Sequence, residues 1–163
     1  MAPPNSALAG QVSFSPAEHL NRQDKSFTTT LVLDTDGDSI NTIEGVLKVD
    51  PRLFGTTGDI QVSDSGSVIT YLITQPSFDK SQNVIRFAGG IPGGYTGTTG
   101  IIFSIIFPAY SGEPIDRAVS VSELRAYKND GAATSANISS ANFSLGDVAG
   151  EIYQGISDQL YLD

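Results

Sequence analysis

Apolar and polar residues alternate in short runs from Gln11 to Leu145, and turn residues separate the runs. This spacing is typical of an all-β sandwich or barrel, and it predicts about nine strands. No convincing helical periodicity interrupts the pattern before the C-terminal tail. The predicted strands are residues 11–15, 26–34, 40–49, 59–62, 67–75, 83–88, 100–108, 118–127 and 137–145.

The stretch 87–107 (FAGGIPGGYTGTTGIIFSIIF) is the central feature of this pattern. It predicts a strand that ends at Ala88, then a glycine-rich loop, then a central strand buried on both faces or nearly so. That second strand is too short for a membrane span of about 20 residues. Within the loop, Gly90, Gly93 and Gly94 are expected to adopt positive φ, which most side chains resist.

Period-two patterning predicts which side chains of each strand face the solvent. In 40–49 the inward set is Ile43, Gly45, Leu47 and Val49, and the outward set is Thr42, Glu44, Val46 and Lys48. In 83–88, Ile85 and Phe87 are predicted inward and Arg86 outward. In 67–75 the predicted inward residues are Ile69, Tyr71 and Ile73, whereas Val68, Thr70, Leu72 and Thr74 are predicted outward.

The chain divides into an N-terminal extension (1–9), one β domain (10–146) and a C-terminal tail (147–163). The tail places Ile152, Ile156 and Leu160 four residues apart, which fits either a short amphipathic helix or a linker. The N-terminus lacks a basic segment followed by a long apolar one, so we expect no signal peptide in this chain.

Composition narrows the classes of partner. The 163 residues carry a formal charge of −9, and the Lys and Arg residues do not cluster, so nucleic acid is not an expected partner. There is no Cys, which excludes disulfides, thiolate metal sites and a cysteine nucleophile.

Asp34, Asp36 and Asp38 are the candidate metal ligands, because alternate carboxylates supply the hard oxygen atoms that Ca²⁺ prefers. The EF-hand pattern fails, however, since Ser39 occupies its sixth position and Gly45 its twelfth. The alternative is a hairpin turn whose acids keep a sheet edge soluble.

No catalytic site is predicted. His19 is the only histidine, lies in the predicted connection 16–25, and has no G-x-S-x-G serine to activate. It is interpreted as a solvated loop residue. Four tyrosines, Tyr71, Tyr95, Tyr110 and Tyr127, offer possible sugar-stacking surfaces, although the chain contains no Trp.

Three stretches resemble the cohesins, the β-sandwich modules that bind dockerins in cellulosomes and on other microbial surfaces. They are residues 40–54 (INTIEGVLKVDPRLF), 87–107 and 124–131 (LRAYKNDG), in this order along a likeness that spans about residues 10–145. The resemblance implies a nine-stranded jelly roll, no enzymatic activity and an extracellular or cell-surface location in a prokaryote.

The resemblance also implies that a dockerin-like protein binds one flat sheet face. On this chain that face would present Thr42, Glu44, Val46, Lys48, Val68, Thr70, Leu72, Arg86 and Arg125. Two alternatives remain open: a carbohydrate-binding module that holds polysaccharide on exposed tyrosines, and a structural subunit of a surface assembly. Membrane insertion of this segment is not expected.

Overall fold

A computed structural model of the chain describes residues 10–21, 25–53, 58–110, 112–129, 135–136 and 138–148. These residues form eleven strands and a short 3₁₀ helix at Pro51–Leu53. The strands are β1 (Gly10–Ser15), β2 (Glu18–Asn21), β3 (Phe27–Asp34), β4 (Ile40–Val49), β5 (Gln61–Ser63), β6 (Tyr71–Asp79), β7 (Val84–Tyr95), β8 (Gly100–Phe107), β9 (Ile115–Lys128), β10 (Ile138–Ser140) and β11 (Phe143–Val148).

The strands form two sheets that pack face to face. One sheet has five strands in the order β10-β1-β3-β8-β5, and the other has six in the order β2-β11-β9-β4-β7-β6. The chain crosses between the sheets at almost every connection, while β6 and β7 are consecutive and share a sheet. The predicted all-β sandwich with jelly-roll topology is confirmed.

The strand count differs from the predicted nine in two places. β2 lies within the predicted connection 16–25 and pairs with β11. Its sequence EHLN contains no apolar run, so periodicity did not indicate a strand there. The predicted strand 137–145 is two strands, β10 and β11, which belong to different sheets. The tail prediction, beyond Val148, and the extension 1–9 lie outside the described residues.

The glycine-rich stretch is a strand for most of its length. β7 continues from Ala88 to Tyr95, and Tyr95 pairs with Ile40 of β4, so the predicted loop from Gly89 onward is wrong. Gly93 (φ +82°) and Gly94 (φ +81°) confirm the expectation of positive φ. Gly90 does not, because it pairs with Thr42 in the ladder like any extended residue.

The core lies between the sheets and is rich in phenylalanine. Phe27 stacks on Phe107 with ring centroids 4.8 Å apart, and Phe107 stacks on Phe143 at 5.6 Å. β8, which lies between β3 and the edge strand β5 in the five-stranded sheet, supplies Phe103 and Phe107, both fully buried. Its other side is half-buried, at Ile101, Ser104 and Ile106, so the strand is fully buried on one face and partly buried on the other.

The edge of the six-stranded sheet also differs from the prediction. β6 begins at Tyr71 rather than at residue 67, and the N–H of Val68 donates to the carbonyl of Ile101 in the other sheet. No helix within the described part of the chain is long and apolar enough to cross a membrane.

Candidate functional site

The outer side of the six-stranded sheet presents charged side chains on β9, β4, β7 and β6, and we call this surface the charged face. Alternation along β4 confirms the predicted outward set, since Ile43, Leu47 and Val49 are buried and Glu44 and Lys48 are not. Three rows of paired residues cross the four strands. The rows are Tyr71–Gly90–Thr42–Tyr127, Thr74–Ala88–Glu44–Arg125 and Ser77–Arg86–Val46–Glu123.

Six of the nine predicted partner-binding residues lie together on this face: Thr42, Glu44, Val46, Lys48, Arg86 and Arg125. Thr70 is exposed but precedes β6. Val68 and Leu72 are partly buried and pack against the core, so their predicted outward orientation is wrong. Contact of any of the nine with a partner stays a prediction.

The structure instead exposes Tyr71 and Ile73, which were predicted to point inward. Their exposed fractions are 66% and 68%, larger than for any other large hydrophobic side chain described. For Ile73 the inversion arises because the ladder between β6 and β7 shifts register between Leu72 and Thr74, so Ile73 and Thr74 both face solvent. Tyr71 precedes that shift and is exposed in its row with Gly90. Pro76 within the strand was the available signal, since proline in a strand indicates an edge with irregular pairing.

Small residues at the centre of the face leave room beside these apolar side chains. Ala88 and Gly90 occupy the middle positions of two rows, where larger residues would fill the surface. A depression of about 230 Å³ lies around Ala88. Its lining includes Glu44, Val46, Thr74, Arg86, Glu123 and Arg125. The face is therefore an apolar edge beside a shallow, charged centre.

Ion pairs fix the positions of several of the charges. Arg125 Nη1 lies 3.3 Å from Glu44 Oε2 on the neighbouring strand. Arg86 donates to Gln82 Oε1 at 2.7 Å and lies 3.7 Å from the carboxylate of Asp79. All these groups are substantially exposed, so each pair adds little to the stability of the fold.

The turn between β6 and β7 depends on Asp79. Its Oδ1 accepts hydrogen bonds from the hydroxyl of Ser81 at 2.7 Å and from the N–H of Ser81 at 3.0 Å. The Ser81 hydroxyl is the main reason that the pKa of Asp79 lies below its ordinary value, and the charge of Arg86 adds to the effect. The ionised carboxylate thus favours the hairpin that carries the edge of the face.

The three candidate calcium ligands are not gathered into a ligand set. Asp34 accepts a hydrogen bond from the N–H of Asp36 at 2.9 Å, and Asp38 lies 3.8 Å from Lys128. Asp36 and Gly37 both have positive φ, as expected for a tight turn. Among the described residues no three carboxylate or imidazole groups are placed to hold a metal ion. Calcium binding by this turn stays a prediction.

His19 and three of the four tyrosines are at least partly buried. His19 lies in β2 and its ring stacks on Phe27 at 4.2 Å, so the interpretation as a solvated loop residue is wrong. Tyr110 is buried and donates to the carbonyl of Glu113 at 2.8 Å. Tyr95 and Tyr127 are half-buried, which leaves Tyr71 as the exposed ring of the four. They do not form an aligned stacking surface.

No protein-family model matches this sequence, and no curated protein matches it. Solved structures, in contrast, share its fold. A chain of the Coh-OlpA–Doc918 complex, a type I cohesin–dockerin complex from Clostridium thermocellum, has a TM-score of 0.63 and 11% identity, and the match covers 86% of this chain and 99% of that one.

Two further structures agree. The seventh ScaB type I cohesin from Pseudobacteroides cellulosolvens has a TM-score of 0.61 and 16% identity, with coverage of 86% and 93%. The third ScaB cohesin of R. flavefaciens, in complex with a group 1 dockerin, has a TM-score of 0.58 and 15% identity, with coverage of 85% and 94%. The chain therefore has the cohesin fold, as its sequence predicted.

Proposed function

We propose, from the cohesin fold of this chain, that it is a non-catalytic, extracellular adhesion module that binds a dockerin-like protein through the charged face. The observation that carries the proposal is the exposure of Tyr71 and Ile73 at the edge of the charged face, on a fold whose solved examples include dockerin complexes. Exposed aromatic and aliphatic side chains beside polar groups are typical anchors of a protein interface.

The backbone of the face suits protein recognition. Its side chains stand on four paired strands, so their Cα positions are fixed before a partner arrives and little ordering entropy is lost on binding. Tyr71 and Ile73 supply apolar area, whereas Glu44, Arg86, Glu123 and Arg125 place charges of both signs beside it. Such a pattern selects a partner with an apolar ridge and complementary charges.

Polysaccharide binding on this face has weaker support. A sugar chain bound to this face through tyrosine stacking would need aligned rings, and Tyr71 stands alone on the surface while Tyr110 is buried. The arrangement therefore favours a protein partner for the charged face.

The test is a binding titration of the full chain against a panel of purified dockerins, including those encoded in the same genome. We expect a complex at micromolar concentration or below. Ile73→Asp should weaken it by about 30- to 100-fold, because a charge replaces an apolar anchor. The matched control is Thr28→Asp, an exposed strand position on the opposite sheet, which should leave the affinity unchanged.

Two results would remove the proposal. One is the absence of any complex across the panel. The other is a complex that Thr28→Asp weakens as much as Ile73→Asp does, because the partner would then not use the charged face.

A further inference from the structure

The outer side of the five-stranded sheet differs from the charged face in carrying almost no charge, and we call it the neutral face. Its outward residues on β1, β3, β8 and β5 are Gln11, Ser13, Ser15, Thr28, Thr30, Val32, Ile101, Ser104, Ile106, Gln61 and Ser63. Asp34 lies at the end of β3 and is the charged residue in the strands of this sheet; its carboxylate accepts a hydrogen bond from Asp36.

Hydroxyl-bearing and aliphatic side chains are interleaved on this face. Ser13 pairs with Val32, and Val32 pairs with Ile101, which forms one cross-strand row. In the next row the hydroxyls of Thr30 and Ser104 hydrogen-bond each other at 2.8 Å. Two hydroxyls that share one such bond still have one proton to donate and lone pairs to accept. The row therefore remains able to bind a polar ligand.

A depression of about 590 Å³ lies on the neutral face over β1, β3 and the start of β8. Its lining residues are Ser13, Phe14, Ser15, Thr30, Val32, Thr99 and Ile101. Four of these seven carry hydroxyls, two are aliphatic and none is charged. The volume is within the range of about 300–1,000 Å³ that is usual for small-molecule sites.

We propose that this depression binds a short segment of a neutral glycan. The lack of charged groups disfavours an ionic ligand, because a buried or half-buried charge needs a partner of opposite sign. The four hydroxyls disfavour a wholly apolar ligand, whose contact would leave them without hydrogen bonds. A sugar ring has hydroxyls at its edge and C–H groups on its faces, which matches Ser13 and Thr30 beside Val32 and Ile101.

The geometry makes this site independent of the charged face. The two faces lie on opposite sides of a sandwich whose sheets pack about 10 Å apart, so a protein partner and a glycan can be bound together. Serine and threonine also lose little side-chain entropy when they are ordered, which suits the weak, repeated contacts of a surface glycan. The site would let one module link a protein partner to a polysaccharide.

The experiment is an NMR titration of the full chain with cellohexaose, xylohexaose, maltohexaose and chitohexaose, up to about 10 mM each, a range that detects millimolar affinity. We expect saturable shifts at Ser13, Thr30, Val32 and Ile101 with at least one of them. Thr30→Val keeps the shape of the side chain and removes its hydroxyl, so it should weaken binding about three- to tenfold. Thr28→Val, outside the depression on the same strand, is the matched control.

Three results would overturn the proposal: no saturable shift with any of the four sugars, shifts confined to Tyr71 and its neighbours, or equal effects of Thr30→Val and Thr28→Val. A second copy of the chain is the other candidate occupant. If light scattering shows a dimer that Val32→Lys dissociates, the neutral face is a self-association surface and the proposal fails. Ile73→Asp serves as the cross-check, because it should leave the sugar titration unchanged.

Discussion

The outer faces of the two sheets are built differently, although both belong to one sandwich. The charged face combines acids and bases with exposed Tyr71 and Ile73, and its ladder from β6 to β7 shifts register twice. The neutral face has hydroxyl and aliphatic side chains on regular ladders, with one shift between β3 and β8. Irregular pairing thus coincides with the face that exposes apolar residues, and regular pairing with the face that is half-buried and uncharged.

The difference between the two faces arises mainly at strand β6. The position of β6 beside β7 depends on Gly89. A Cβ added at Gly89 would lie 2.6 Å from the carbonyl oxygen of Tyr71 and would also collide with the side chain of Ile69. Gly89→Ala should therefore push β6 away from β7 and destabilise the protein by about 3 kcal/mol, as overpacking does. Urea unfolding monitored by circular dichroism measures this change.

The neighbouring glycine provides the control. A Cβ at Gly90 would have its nearest neighbour, the carbonyl oxygen of Asn41, at 3.6 Å, and φ is not positive there. Gly90→Ala should change stability by less than about 1 kcal/mol, in either direction. If the two alanine variants unfold at the same urea concentration, close approach at Gly89 does not set the position of β6.

Within the charged face, the sequence predicted the orientation of β4 correctly and that of β6 incorrectly, for a physical reason. Where a strand pairs regularly, as β3, β4 and β8 do over most of their length, period-two alternation identifies the buried side directly. A register shift reverses that alternation, and its position depends on contacts such as Gly89 against Tyr71 that involve distant parts of the chain. The alternation of apolar and polar residues along the sequence does not reveal such long-range contacts.

Strand β2, which has a single apolar residue, was missed for a related reason. β2 is a strand only because β11 supplies its hydrogen-bond partner, and no local preference of its sequence indicates this. The jelly-roll fold and six of the predicted face residues followed from alternation and from the resemblance. The exposed anchors Tyr71 and Ile73 required the structure, as did the uncharged depression on the other side.

Substitution of Gly93 or Gly94, the two positive-φ glycines near the end of β7, should also lower the stability of the protein. Both Gly93→Val and Gly94→Val should destabilise the protein, by about 1–2 kcal/mol for backbone strain alone. Gly94→Val should cost more, because a Cβ there would also meet the side chains of Ser39 and Asn129, whereas the space beside Gly93 is open. Thermal unfolding of both variants checks this order.

The asparagine variant separates strain from crowding. Asn tolerates positive φ, so Gly93→Asn should be milder than Gly93→Val. If valine at 93 and at 94 were equally harmless, the end of β7 would not constrain the sheet, and the contrast between the two faces would not depend on it.

Lowering the pH should destabilise the strands of the charged face before those of the neutral face, because Asp79 becomes protonated. Its pKa is lowered in the folded protein, first by the Ser81 hydroxyl, so its contribution is present above the ordinary value of 3.8 and is lost as the pH falls through the folded value. The protection of amides in β6 and β7 against exchange, relative to the unfolded chain, should therefore fall below about pH 3.8 before that of amides in β3 does.

Ser81→Ala tests the cause of this pH dependence. Removing the hydroxyl should move the pKa of Asp79, followed by carboxyl carbon NMR, back toward its ordinary value. An unchanged pKa would mean that the turn is held by the backbone hydrogen bonds of Ser81 and Gln82 alone.

The smallest expected effect compares one cross-strand pair from each face. Glu44–Arg125 is an exposed ion pair at 3.3 Å, and Thr30–Ser104 is a pair of hydroxyls at 2.8 Å. Double-mutant cycles with Glu44→Gln and Arg125→Gln, and with Thr30→Val and Ser104→Ala, should each give a coupling of about 0.5 kcal/mol. Salt distinguishes them, because screening at about 1 M reduces the Debye length to about 3 Å and weakens only the ionic coupling. A hydroxyl coupling that falls with salt as steeply as the ionic one would mean that charge reaches the neutral face, and the division between the two faces would then be wrong.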